Sequence, residues 1–103
     1  MVTTPHIMFP RPALDGICRE YGVQRLSLFG SVLRDDFRDD SDVDVLVEFR
    51  EGVPTGFRVV SLEMELSRLI GGRRVDLRTP SELSRYFRDE VLGHCVRAYD
   101  QAG

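Results

Sequence analysis

Leu14, Ile17, Cys18 and Tyr21 recur at i, i+3, i+4 and i+7, a spacing that lines one side of an α-helix. Pro12 suits the first turn of that helix, and Gly22 marks its end. In "VQRLSLF", Leu26 and Leu28 fall on one side of a short strand. Gly30-Ser31 breaks that strand, and Val32-Leu33-Arg34 begins a short helix. "DVDVLVEF" alternates most clearly: Val43, Val45, Val47 and Phe49 share one face, while Asp42, Asp44, Leu46 and Glu48 share the other. After the Gly- and Pro-punctuated loop "EGVPTG", the positions Val59, Leu62, Leu66, Leu69 and Ile70 predict a second amphipathic helix, stopped by Gly71-Gly72. "RRVDLR" reads as a third strand with Asp76 facing away from Val75 and Leu77. "TPSE" carries a helix-start signature, with Thr79 as cap, Pro80 in the first turn and Glu82 closing a capping box. Leu83, Tyr86, Phe87 and Val91 give that helix its apolar side. "CVRAYD" closes the chain as a short strand at a sheet edge.

These elements predict an α/β (α+β) fold, a small mixed sheet of three to four strands flanked by helices. The 103 residues make a single domain spanning 1–103, long enough for a real core. Hydrophobic residues at 42% and charged residues at 30% fit a globular chain and exclude a disordered one. No apolar run approaches the ~20 residues needed to span a bilayer, and "MVTTPHIMFPRP" lacks the pattern of a signal peptide. Cys18 and Cys95 have no metal-like or redox-like spacing and read as reduced thiols of a cytoplasmic protein. The net charge of -3 argues against non-specific nucleic-acid binding, so neither membrane nor direct nucleic-acid partners are expected.

The chemistry concentrates in residues 28–49. Asp35, Asp36, Asp39 and Asp40 read as a solvated acidic loop, but Asp42 and Asp44 do not. They lie two apart at the start of a strand, so both side chains point the same way, roughly 6–7 Å apart along it. Two such carboxylates resist ionising together unless a cation offsets their charge. Asp76, turned away from its aliphatic neighbours, brings a third carboxylate if the two strands adjoin. An oxygen-only set of this kind suits magnesium, which keeps room for substrate phosphates. A Walker A loop needs a lysine, and the chain has none. A calcium loop needs glycine where Val45 stands. Haloacid-dehalogenase-type Asp-x-Asp follows an apolar strand rather than preceding one. Gly30 lets the backbone turn sharply or approach a ligand, and Ser31 opens the short helix, whose free N–H groups and dipole favour an anion. A triphosphate cradle facing a metal site is the reading that joins the two.

"FGSVLRDDFRDDSDVDVLVEF" resembles the signature of the DNA polymerase β-like nucleotidyltransferase superfamily, and the whole chain looks like its minimal, MntA-like branch. The likeness runs from "YGVQRLSLFGS" through "SDVDVLVEF", "RRVDL" and "TPSEL" to "RDEVLGHCVRAYD". It implies that Gly30, Ser31 and Arg34 bind the nucleotide triphosphate. It also implies that Asp42, Asp44 and Asp76 are both the catalytic and the metal-binding residues, holding Mg2+, two ions, with ATP as substrate. It further implies an antitoxin partnered in a hetero-oligomer with a HEPN-type toxin ribonuclease, transferring AMP to a tyrosine of that toxin. Two other readings stand beside it. One is a non-catalytic antitoxin that acts by stoichiometric binding, suggested by Asp35 where a glycine usually follows the arginine. The other is transfer to a small molecule of aminoglycoside type, disfavoured because no acceptor domain is evident.

His6 and His94 lack motif partners and read as surface or locally hydrogen-bonded histidines. Arg73 and Arg74 read as a solvated turn, Glu48 as an ion-pair or edge residue, and Tyr99 as packing.

Overall fold

In the computed structural model, residues 2–3, 7–33, 38, 41–54, 56–83, 89 and 93–101 are described. A mixed four-stranded sheet forms the frame. β3 (Val23–Phe29) pairs antiparallel with both β4 (Val43–Phe49) and β6 (Val96–Asp100), and β4 pairs parallel with β5 (Val75–Arg78). The order across the sheet is β5-β4-β3-β6. Ahead of it, β1 (Val2–Thr3) and β2 (Met8–Phe9) form a two-stranded antiparallel ribbon. Two-residue strands are too short to carry a period, so the sequence pattern does not announce them, yet Ile7 and Phe9 are buried in the core.

One face of the sheet is covered by α1 (Arg11–Tyr21) and α2 (Phe57–Leu69). The alternation in β4 is realised as expected: Val43, Val45 and Val47 are fully buried and join Leu26, Leu28, Val75 and Leu77 under Leu14, Leu62 and Leu66. Each such leucine, taken fully out of water, stabilises the fold by roughly 1.5–3 kcal/mol. α1 ends at Gly22, whose φ of 73° closes the helix in the left-handed region. Cys18 lies inside this core. Burial, helped by the nearby Asp15 charge, pushes its thiol up to about 12, so it stays protonated and unreactive. Among the described residues, no helix is long and apolar enough to cross a membrane.

The other face carries the polar residues and, among the described residues, a small apolar cluster, Phe29, Leu46 and Leu83 with Cys95 packed on it. Leu83 explains a departure from expectation. The helix anticipated from Thr79 begins as one 3-10 turn, Pro80–Glu82, and Leu83 is extended, while Asp89 and Gly93 further along are helical. The anticipated cap chemistry is present: Glu82 Oε1 accepts from the Thr79 backbone N–H at 3.2 Å and from its hydroxyl at 3.0 Å. A capping box satisfies the first turn of either helix type. Here burial of Leu83 against Phe29 and Leu46 takes over after one turn. Tyr86, Phe87 and Val91, expected on the same helix, lie outside the described residues. The short helix expected after the glycine is likewise a 3-10 turn, Gly30–Leu33.

Candidate active site

The carboxylates are assembled by strand register. β4 and β5 run parallel with Asp44 directly beside Asp76, on strands about 4.8 Å apart. Both side chains are on the face away from the helices, because their neighbours Val43, Val45, Val75 and Leu77 fill the core. On the other side of Asp44 stands Phe29, its antiparallel partner on β3, and the chain then turns at Gly30. The glycine has φ 76°, and a Cβ built there would overlap Asp44 Oδ2 and stand 3.2 Å from its Cγ. The backbone of the Gly-Ser turn is therefore pressed against the central carboxylate, a contact only glycine permits.

Edge strand β5 is held in place from below. Glu63 of α2 accepts the Leu77 N–H at 3.0 Å, and the Ser67 hydroxyl donates to the Arg73 carbonyl at 2.5 Å. The Val43 N–H donates to the Arg74 carbonyl at 2.9 Å, locking the starts of β4 and β5 together. Asp42 precedes β4 by one residue. The turn before it is closed by the Ser41 N–H on the Arg38 carbonyl and the Arg38 N–H on Ser41 Oγ, both at 3.0 Å.

Two arginines of the β5 segment meet the outer carboxylates. Arg78 lies two residues after Asp76, on the same side of the strand. It donates through Nε at 3.1 Å to Oδ1 and through Nη2 at 3.3 Å to Oδ2. That hydrogen-bonded Asp76 carboxylate, with its charge and those of Glu82 and Asp44, holds the Arg78 guanidinium above its usual value. Arg74 Nε stands 3.9 Å from Asp42 Oδ1. Both pairs are exposed and add little stability. Their effect is to supply counter-charge to carboxylates that crowd one face.

The structure thus brings Asp44, Asp76 and Gly30 together and places Asp42 at the strand entrance, directed toward Arg74. Among the described residues, no three carboxylate, histidine or cysteine side chains are gathered tightly enough to hold an ion as they stand. The donor chemistry still fits a hard divalent cation: the acids are all oxygen ligands, on adjacent strands, and half-open to solvent. Ser31 is placed by its backbone, in the 3-10 turn; its side chain and all of Arg34 lie outside what is described. The roles of Arg74 and Arg78 were not foreseen. Arg78 could have been found from the two-residue period that puts it beside Asp76; Arg74 could not, because it lies before the strand. Glu48 has the ion-pair role expected of it, with Arg25 Nε at 3.8 Å across the β3–β4 ladder. Tyr99 packs in the core and His94 is exposed; His6 lies outside the described residues.

A Gly-Ser turn against the first of two register-paired aspartates, on an open sheet face backed by two helices, defines a nucleotidyltransferase of the minimal, polymerase β-like kind. The chain belongs to the nucleotidyltransferase domain family, whose model matches residues 11–98. It is 40% identical over 76 residues to the protein adenylyltransferase MntA of Thermococcus cleftensis, covering 74% of this chain and 75% of that protein. It is 36% identical over 80 residues to a Methanocaldococcus jannaschii protein provisionally named a protein adenylyltransferase, covering 78% and 84%. A solved structure described as a minimal nucleotidyltransferase superposes with a TM-score of 0.70 at 36% identity, covering 82% of this chain and 84% of that one. A chain from a toxin–antitoxin crystal structure with AMP-PNP shares the fold, at a TM-score of 0.68 and 18% identity, over 88% and 73%.

Proposed function

We propose that the chain is the antitoxin of a toxin–antitoxin pair and transfers AMP from ATP to a tyrosine hydroxyl of a HEPN-type toxin. The observation that carries the reading is the register pairing of Asp44 with Asp76 beside the Gly30 turn. The names of the relatives at 36% and 40% identity support a protein acceptor.

In this reading the tyrosine oxygen attacks the α-phosphorus, the bond from that phosphorus to the α–β bridging oxygen breaks, and pyrophosphate leaves. Asp76 takes the hydroxyl proton as general base. Gly30 and Ser31 present backbone N–H groups, and Ser31 its hydroxyl, to the phosphates; Arg34 adds a guanidinium. Asp42, Asp44 and Asp76 would hold Mg2+, two ions, whose charge offsets that of the triphosphate and of the departing pyrophosphate. Arg74 and Arg78 offset the charge of Asp42 and Asp76. The partner protein presents the acceptor.

Intact-mass measurement of the partner after incubation with ATP and Mg2+ tests the reading. The partner should gain AMP units with this chain and none with the Asp42→Ala, Asp44→Ala double variant. A partner that stays unmodified, yet is neutralised equally by the double variant, would replace transfer with stoichiometric binding.

A further inference from the structure

One cleft lies away from the carboxylates. It has a volume of about 720 Å³ and runs between α1 and the last strand, β6. Arg11, Arg19, Arg50 and Arg97 line it, with Asp15 and Asp100. Four guanidiniums against two carboxylates make it basic, on a chain whose net charge is -3.

Local structure accounts for two of the arginines. Arg11 Nη1 donates to the Ala98 carbonyl at 3.0 Å. Arg97 donates through Nε to Ser27 Oγ at 3.2 Å and through Nη1 to Asp100 Oδ2 at 2.6 Å. Ser27 is only 2% exposed, so Arg97 satisfies a buried hydroxyl while guarding the sheet edge. Arg19 and Arg50 have no such duty. They come from the last turn of α1 and from the residue after β4, and no described residue pairs with either guanidinium. Exposed beside the two structural arginines, they add positive charge to a groove along a sheet edge.

We infer that this cleft docks an extended, carboxylate-bearing segment of a partner protein, with Arg19 and Arg50 as the recognising residues. Arginine meets a carboxylate with two parallel hydrogen bonds, and an extended segment suits a groove beside an edge strand. Asp15 and Asp100 favour a polypeptide, which can space its acids, over a continuous phosphate backbone, which cannot avoid them. Arg50, one of the two recognising arginines, follows Phe49, the partner of Val23 at one end of β3, whereas Asp44 pairs with Phe29 at the other end, six residues or roughly 20 Å along the strand. The segment therefore tethers the acceptor protein without entering the carboxylate site. The inference rests on the reading that the acceptor is a protein.

The test is fluorescence anisotropy with a fluorescein-labelled peptide of alternating glutamate and threonine, its glutamine counterpart and an oligouridylate. The glutamate peptide should bind more tightly than both, and Arg19→Glu with Arg50→Glu should weaken it roughly tenfold or more. Amide shifts on binding should fall on residues 11–19 and 97–101. Calorimetric ATP-Mg2+ affinity should be the same in the double variant, since both substitutions lie far from Asp44. Equal peptide affinity for the two proteins, tighter oligouridylate binding, or shifts centred elsewhere would overturn the docking assignment. Docking that persists with no AMP transferred would overturn the transfer reading instead.

Discussion

Asp44→Asn should lower nucleotidyl transfer by roughly 10³-fold, about 4 kcal/mol of transition-state stabilisation, while the protein stays folded. Asp44 is the central residue of the row Phe29–Asp44–Asp76, and Asn preserves its shape while removing its charge. Asn keeps the side-chain shape, and lost repulsion from the neighbouring acids is set against lost attraction to Arg78, so the thermal midpoint should change little. Loss of activity together with a large fall in midpoint would mean that Asp44 is structural. Full activity in the variant would remove it from the site.

Gly30→Ala should be damaging for two separable reasons. With φ at 76°, an alanine there costs roughly 1–2 kcal/mol in backbone strain, which lowers the midpoint by several degrees in a domain of this size. Its methyl group would also displace the Asp44 carboxylate, and a misplacement of that kind costs about 10²-fold in rate. Gly52→Ala separates the two effects. Gly52 has φ 83° and open space where a Cβ would go, so it should lose comparable stability and keep its activity. If both variants transfer AMP equally well, the contact between the turn and Asp44 has no catalytic role.

The alternation in "DVDVLVEF" and "RRVDLR" was enough to orient Asp44 and Asp76, because a buried face forces every second residue outward. It did not say which strands adjoin. The two-residue period fixes faces, whereas the parallel pairing of β4 with β5 depends on α2 carrying the chain back across the sheet. Asp42 shows the limit of the same rule: it lies just outside β4, and its carboxylate is directed toward Arg74. The Thr79–Glu82 signal marks a cap, but the turn it starts is 3-10 and is interrupted at Leu83, whose burial outweighs local propensity, and the described helical residues beyond it are Asp89 and Gly93. The arginine cleft was not legible in the sequence. Arg11, Arg19, Arg50 and Arg97 are scattered along the chain, and only the packing of α1 beside β6 brings them together.

In the proposed reaction the Asp44–Asp76 pair directs transfer of the nucleotidyl part of ATP, not its terminal phosphate. Parallel incubations of the chain and its partner with ATP radiolabelled at the α- or the γ-phosphorus test this most directly. The account predicts that α-label becomes covalently attached to the partner, that γ-label is released as pyrophosphate, and that Asp44→Asn abolishes both. Attachment of γ-label to the partner, or attachment of α-label undiminished by Asp44→Asn, would contradict it.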